Sequence, residues 1–147
     1  MARYLLIVTF EPGVVDSPME EWQPDEITAH LDYYRALNTA LEESGELVDV
    51  TILTPPDAAR IVRADTSGGR VVTDGPFQEF KEWAAGFQVI DVDTEERALE
   101  IAALVSAVPG PGGVPLQQPI HVRRVMDDGP SDPVEMDAWL EGAGGGR

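Results

Sequence analysis

The pattern of apolar and polar residues along the chain predicts a series of β-strands. Residues 3–10 (RYLLIVTF) are almost continuously apolar, which is typical of a strand buried on both faces. Residues 46–53 (ELVDVTIL) alternate between polar and apolar positions, as a half-buried strand does. Gly68 and Gly69 separate two shorter runs and favour a hairpin turn. The predicted strands span residues 3–10, 46–53, 59–64, 70–73, 85–92 and 120–126.

Two other segments have the periodicity of amphipathic helices. In residues 25–44 the apolar positions recur every three or four residues, and Gly45 follows as a typical residue for ending a helix. In residues 94–107 small and branched apolar residues share one side. Asp93 and Glu96 have the spacing of a capping box, so this second helix is predicted to begin beside them.

The order of these elements is β-α-β-(ββ)-β-α-β. It predicts an α+β domain over residues 1–126, with a ferredoxin-like split βαβ fold and an inserted β-hairpin. Helices cover only one face of such a sheet, so we expect a homodimer in which two sheets face each other. Residues 127–147 are acidic and then glycine-rich, which predicts a flexible C-terminal tail with one docking point at Trp139 and Leu140.

Composition and charge narrow the range of partners. The chain has 10 Lys and Arg residues against 27 Asp and Glu residues, a net charge of -17, so its surface repels nucleic acid and anionic membranes. Cysteine is absent, which excludes disulfides and thiolate chemistry and fits a reducing compartment. The apolar run at residues 3–10 is too short to span a membrane. We therefore expect a cytoplasmic protein that does not bind nucleic acid directly and does not bind membranes.

Common catalytic and cofactor motifs are absent from the sequence. It contains no dinucleotide-binding GxGxxG, no phosphate-binding GxxxxGK[ST], no HExxH and no GxSxG motif. The two histidines, His30 and His121, lie in different predicted elements and have no metal-ligand spacing to neighbouring carboxylates. The sequence therefore predicts no cofactor and no metal site.

The densest group of charged and aromatic residues is found in residues 72–87, VTDGPFQEFKEWAAGF. This string resembles the signature of the DGPF subgroup of the YCII-related family, in which Asp-Gly-Pro-Phe is followed by Glu, by Lys-Glu and by Gly-Phe. The Pro55-Pro56 pair and the Arg124-Val125 pair fit the same pattern, so the likeness runs from about Arg3 to Val125. The resemblance implies a ferredoxin-like fold that assembles as a dimeric α+β barrel. It implies no agreed reaction.

Asp74, Glu79, Lys81 and Glu82 carry the charges of this segment. Converging at the mouth of a pocket, these carboxylates and the ammonium group would tune one another's protonation, which suits acid/base chemistry. On this hypothesis Asp74 and Glu82 are catalytic, and Glu79 and Lys81 bind the ligand. The alternative is that Asp74 bonds its own backbone in the turn and the other three form a solvated ion-pair network.

His30, on the inward side of the first predicted helix, is the candidate acid or base. The wider YCII-related family has a histidine in a His-Leu pair here, proposed to act with an aspartate near the end of the second helix, and His30-Leu31 matches that histidine. Residues 106–109 (SAVP) hold no aspartate, so Asp74 or Glu82 would have to orient His30. The alternative is a packed, hydrogen-bonded structural histidine.

His121 and Arg123 are candidate binding residues in the last predicted strand. Side chains alternate along a strand, so these two share one face. Together they would hold an anionic group of a ligand. The alternative is that they form ion pairs with some of the surplus carboxylates.

Two functions remain open from the sequence. The first is a small-molecule binding or acid/base, enzyme-like protein with a pocket near the DGPF motif. The second is a non-catalytic accessory or regulatory protein. Family members are frequently encoded beside extracytoplasmic-function sigma factors, so the resemblance implies a basic partner of that kind for the acidic surface.

Overall fold

The computed structural model describes residues 2–15, 17–74, 83–126 and 129–144. Within these residues the chain forms six strands and three α-helices, joined by short 3-10 turns. The predicted strands and the two predicted helices are present, with ends that differ from the predicted ones by at most two residues. The elements are β1 (Ala2–Thr9), α1 (Pro24–Glu43), β2 (Leu47–Ile52), β3 (Arg60–Ala64), β4 (Arg70–Asp74), β5 (Ala84–Val92), α2 (Glu95–Ser106), β6 (Ile120–Arg124) and α3 (Pro133–Gly144).

A four-stranded antiparallel sheet organises the domain. Its strand order is β2-β5-β1-β6, with α1 between β1 and β2 in the chain and α2 between β5 and β6. This is a ferredoxin-like α+β arrangement, as the sequence predicts. β3 and β4 form a separate hairpin inserted between β2 and β5. The sheet does not close into a barrel within the described residues, and the dimeric barrel stays a prediction.

The core lies between the sheet and the helices α1 and α2. Tyr4 and Leu6 of β1 pair in register with Ile90 and Gln88 of β5, so these side chains share the helix-facing side of the sheet. Burial of this one apolar face, by sheet against helices, is what stabilises the fold. The buried cluster consists of Tyr4, Leu6, Leu41, Ile90, Val92, Ala98, Ile101, Ala102 and Val105.

The opposite face of β1 is less buried than the sequence predicts. Leu5 and Ile7 are only half-buried, so the prediction that this strand is covered on both faces was wrong for the single chain. The continuous apolar run of β1 therefore supplies one face that packs in the core and one apolar face that the helices leave open. The open face is described with the candidate site below.

The helix ends show how the sequence sets element boundaries. α1 begins with a capping box between Gln23 and Glu26, and Gly45 ends it with φ 79, a left-handed conformation that glycine adopts without strain. α2 is capped by Thr94, whose hydroxyl oxygen accepts a hydrogen bond from the Arg97 N–H at 3.1 Å. The predicted capping box of Asp93 and Glu96 was therefore wrong by one residue.

A third helix, α3, lies within the C-terminal segment, where the sequence analysis predicted none. Asp132 Oδ1 accepts a hydrogen bond from the Glu135 N–H at 2.8 Å, and Glu135 Oε2 accepts one from the Ser131 N–H at 2.7 Å. These reciprocal bonds satisfy N–H groups at the start of the helix that have no partner within it. Across the part of the chain that the structure describes, no helix has both the length and the apolar character that crossing a membrane requires.

Candidate functional site

The candidate site lies on the face of the sheet that α1 and α2 leave open. His121 and Arg123 of β6 pair in register with Ile7 and Leu5 of β1, so both project to this face, as their spacing predicts. Its centre is apolar and half-buried, and its two margins are polar. The face consists of Leu5 and Ile7 of β1, Phe87 and Val89 of β5, His121 and Arg123 of β6, and Asp49 and Thr51 of β2.

A pocket of about 330 Å³ lies at the β6 side of this open face. Pockets that hold small molecules range from roughly 300 to 1,000 Å³, so this one suits a ligand of a few heavy atoms. Three segments of the chain build it: β1, the residues that follow β1, and β6. The lining residues are Ile7, Thr9, Glu11, His121 and Arg123.

An irregularity in the sheet lies at the pocket wall. The register between β1 and β5 shifts between Val8, which pairs with Gly86, and Thr9, which pairs with Ala84. Such bulges re-aim side chains at sheet ends and are frequent beside binding sites. Thr9 is buried, and its hydroxyl oxygen accepts a hydrogen bond from the Glu11 N–H at 3.3 Å. Among the described residues no acceptor is hydrogen-bonded to the Thr9 hydroxyl, so this group can donate to a ligand.

The charges in the pocket are of both signs. Arg123 and His121 are exposed on one wall, and the Glu11 carboxylate lies on another. The ion pairs between described residues use Arg35, Arg60 and Arg97, and none of them uses Arg123. Among the described residues, no carboxylate pairs with Arg123, so its guanidinium can donate hydrogen bonds to a ligand.

His30 lies elsewhere, at the junction of α1 with the loop that follows α2. Its Nδ1 is 2.9 Å from the Pro109 carbonyl oxygen, and a carbonyl only accepts, so Nδ1 carries the proton. The ring makes edge-to-face contacts with Trp22 and Tyr34, with centroids 5.4 and 5.2 Å away. His30 is 9% exposed, and it does not line the pocket on the open face of the sheet.

Burial shifts the pKa values of two side chains at this junction, His30 and Tyr34. It lowers the pKa of His30 below the usual range, and the hydrogen bond to the Pro109 carbonyl opposes the change only in part. It also raises the pKa of Tyr34 to about 12, with a smaller contribution from Tyr33. A neutral histidine bonded through Nδ1 and enclosed by aromatic rings is the packed structural residue that the sequence analysis kept as an alternative.

Asp74, one of the two acidic residues proposed to orient His30, lies in another part of the fold. Asp74 ends β4 with its side chain 83% exposed, and its Oδ1 is 3.2 Å from Arg60 Nε on the neighbouring strand. The structure therefore does not bring Asp74 and His30 together, and the Pro109 carbonyl orients the imidazole instead. Glu79, Lys81 and Glu82 lie outside the described residues.

Sequence reasoning missed two lining residues of the pocket and one part-buried pair of side-chain amides. Thr9 ends β1 and Glu11 lies two residues after it, and the change from apolar to polar residues there was the available signal. Gln88 is buried on β5, and its Nε2 donates a hydrogen bond to Asn38 Oδ1 on α1 at 2.6 Å. Only the tertiary structure shows that these two amides meet.

The remaining features offer weaker sites. A more open hollow of about 480 Å³ is a groove along a single helix, so it brings no separate elements together. Within the described ranges no group of three histidines, cysteines or carboxylates is placed to hold a metal ion. The groove is lined by Asp32, Arg35, Ala36, Thr39, Ala40 and Glu43 of α1.

Comparison with known proteins relates this chain to a protein family and to a bacterial protein. A family model described as YCII-related domain matches residues 2–110. A protein of Rhizobium meliloti (strain 1021), described as uncharacterized, is 34% identical over 98 residues, which cover 66% of this chain and 78% of that protein. The family match ends before β6, although β6 pairs with β1 and supplies two residues of the pocket.

Proposed function

The chain belongs to the YCII-related family, and from this premise we propose that it binds a small anionic molecule in the pocket on the open face of its sheet. The observation that carries the proposal is the placement of His121 and Arg123. Both project into one pocket of about 330 Å³ from alternate positions of β6. They are the donors through which the protein holds its ligand.

The charge balance of the chain supports an anionic ligand. The chain carries 27 acidic residues against 10 basic ones, so an anion is repelled over most of its surface. The Arg123 guanidinium is a positive charge within that field, and the His121 imidazole on the same face adds a hydrogen-bond donor. Arginine binds a carboxylate through two parallel hydrogen bonds, which gives orientation as well as affinity.

Glu11 and Thr9 restrict the ligand further. A carboxylate at the pocket wall repels a bare anion but accepts a hydrogen bond from a hydroxyl or ammonium group. The Thr9 hydroxyl donates or accepts beside it. The ligand class that fits this set is a small molecule with an acid group and a neighbouring hydrogen-bond donor, such as a hydroxy acid or an amino acid.

A backbone hydrogen bond links the segment between Thr9 and Glu11 to the strand that follows residues 75–82. The Phe10 N–H donates a hydrogen bond at 3.3 Å to the carbonyl oxygen of Trp83, the first described residue after residues 75–82. We propose that the charged residues of the motif, Glu79, Lys81 and Glu82, act on a ligand bound here. A homodimer that pairs the open faces would place a second sheet over the pocket and exclude water from it.

A thermal-shift series with three probes tests the binding proposal. Lactate, acetate and inorganic phosphate are added in turn to the full chain. We expect lactate to raise the melting temperature most, because it alone presents both a carboxylate and a hydroxyl. Replacing Arg123→Gln or His121→Gln abolishes the shift.

Arg124 provides the matched control. It follows Arg123 in β6 but pairs with Tyr4, so it projects to the other face of the sheet. Arg124→Gln changes the net charge as Arg123→Gln does and leaves the lactate shift intact. Equal losses in the two variants, or no shift with any probe, would refute the proposed pocket.

A further inference from the structure

The open face of the sheet carries opposite charges on its two edge strands. Asp49 lies on β2 and Arg123 lies on β6, and the strand register puts both in one row across the sheet. The row consists of Asp49, Val89, Leu5 and Arg123. Both charged side chains are exposed, and among the described residues neither forms an ion pair. One margin of the face is therefore acidic and the other basic.

A second pair of opposite charges lies at the end of the two central strands away from the pocket. Arg3 of β1 and Asp91 of β5 are directly opposite each other, on the same side of the sheet as Leu5 and Val89. The Oδ1 atom of Asp91 is buried and has no hydrogen-bond partner among the described residues. Arg3 is exposed, and no ion pair to it is formed within the described ranges. Buried carboxylate oxygens are nearly always hydrogen-bonded or paired, so Asp91 lacks a partner in the single chain.

A two-fold axis parallel to the strands, between β5 and β1, brings these opposite charges together. It places β6 of one copy over β2 of the other, and β1 over β5. Arg123 then faces the partner's Asp49, and Arg3 faces the partner's Asp91. An axis across the strands would instead place β6 over β6, with Arg123 beside the partner's Arg123, and like charges in such a contact repel. Charge complementarity therefore selects the parallel axis.

We propose that two copies of the chain pair their open faces about this parallel axis. The inference rests on the homodimer and the pocket of the proposed function, and it names what the second copy supplies to them. Sheets packed face to face keep their strand directions within about 30° of each other, which an axis parallel to the strands allows. The half-buried apolar centre becomes the core of the interface, and each of the two ion pairs is formed twice. The apolar centre consists of Leu5, Ile7, Phe87 and Val89.

The second copy also completes the wall of the ligand pocket. Thr51 is in the same row as His121, so the partner's Thr51 lies over the imidazole. The Thr51 hydroxyl donates a hydrogen bond to Asp49 Oδ2 at 3.3 Å, which joins these two side chains into one polar margin. This margin faces His121 and Arg123 across the interface and separates the pocket from bulk water. The site is incomplete without the second copy.

Charge reversal tests the arrangement. Asp49→Arg and Arg123→Asp should each weaken self-association by at least about tenfold in the dissociation constant, because each creates two like-charge contacts. Sedimentation equilibrium without added ligand measures it. An equimolar mixture of the two variants should dimerise again, because the two chains then present opposite charges at both contacts. Both positions are exposed in the single chain, so its fold should persist, as circular dichroism checks.

Two further variants are matched controls for these charge changes. Arg124→Asp changes the charge as Arg123→Asp does, but Arg124 projects to the other face of the sheet. Glu42→Arg makes the change of Asp49→Arg at an exposed position of α1. Both controls should leave the dissociation constant unchanged. Equal weakening by the controls would show that net charge, and not the proposed contacts, governs association.

A cross-link distinguishes the two possible axes. The chain has no cysteine, so Thr51→Cys and His121→Cys each introduce a unique thiol. On the parallel axis, a short bismaleimide joins one variant to the other in an equimolar mixture and joins neither variant to itself. Cross-linking of His121→Cys to itself would identify the axis across the strands and overturn the proposal.

The failure of this inference is distinguishable from the failure of the proposed ligand. Reversed-charge variants that stay dimeric, a mixture that stays monomeric, or a monomeric native chain would each overturn the arrangement, whatever the lactate shift shows. Restored dimers in the mixture, with no lactate shift in the native chain, would support the arrangement and refute the ligand.

Discussion

His30 and Pro109 join the first helix to the loop after the second, through an Nδ1 to carbonyl oxygen distance of 2.9 Å. Two further contacts run beside it, from the Gly112 N–H to Glu26 and from the Tyr33 hydroxyl to the Leu104 carbonyl oxygen at 2.6 Å. Residues far apart in the chain thus fix α1 against the end of α2. His30, which the sequence analysis proposed as an acid or base, is part of that junction.

Loss of the His30 side chain should destabilise the fold. His30→Ala leaves the Pro109 carbonyl without its partner and removes packing between Trp22 and Tyr34, so we expect a loss of about 2–3 kcal/mol in the free energy of unfolding. Urea denaturation measures it. The control His121→Ala, at an exposed position, should change it by less than about 0.5 kcal/mol.

The same residue should make stability depend on pH. Burial lowers the pKa of His30 in the folded chain, whereas the unfolded chain has the ordinary value of about 6.5. The unfolded state therefore binds a proton first as pH falls. The stabilisation from neutral His30 is complete above the ordinary pKa and declines below it until the lowered pKa is passed.

Comparison of the native chain with His30→Gln isolates this effect. Carboxylates titrate alike in both proteins, so their effect cancels in the difference between the two unfolding free energies. This difference should shrink from pH 7.5 to pH 5, because the contribution of neutral His30 is lost. Urea denaturation at each pH measures it. A difference that stays constant over this range would contradict the assignment of a neutral, buried His30.

Arg97 and Glu46 form an ion pair with two hydrogen bonds between described residues. Arg97 Nε and a terminal guanidinium nitrogen donate to the two Glu46 oxygens at 2.8 and 3.0 Å, and this pairing lowers the pKa of Glu46. Glu46→Gln should lower the free energy of unfolding by about 0.5–1 kcal/mol. The loss is small because solvent screens the partly exposed guanidinium. Urea denaturation in low and in molar salt should show the cost falling as salt rises.

The matched control for this pair is Glu100. Its carboxylate makes one contact to Arg97, at 3.1 Å, and is more exposed than that of Glu46. Glu100→Gln should therefore have the smaller effect. An equal loss of unfolding free energy in both variants would show that the second hydrogen bond from Arg97 to Glu46 adds no stability.

Gly86 should not tolerate a side chain. A Cβ there would lie 2.8 Å from the Thr51 carbonyl oxygen on β2, so Gly86→Ala forces the paired strands apart. We expect a loss of about 1–3 kcal/mol, measured as unfolding free energy. Gly129→Ala is the control, since no described atom lies within 4 Å of its Cβ. Unchanged stability of Gly86→Ala would argue against the close approach of β2 and β5.

The sequence by itself determined the elements and their order. A continuous apolar run placed β1, alternation placed β2, and the three- and four-residue period placed α1 and α2. The element order then predicted the ferredoxin-like α+β plan. It also placed His121 and Arg123 on one face of β6, because the direction of side chains along a strand follows from spacing alone. These are local properties, set by the period of the backbone.

Only the tertiary structure decided which distant residues meet. It paired His30 with the Pro109 carbonyl and Asp74 with Arg60, and it assembled the pocket from Thr9 and Glu11 at one end of β1 together with β6. It also left the hairpin and α3 uncovered, which local periodicity does not reveal. The physical reason is that contacts between elements depend on register, crossing geometry and side-chain shape, none of which is encoded in a short window of sequence.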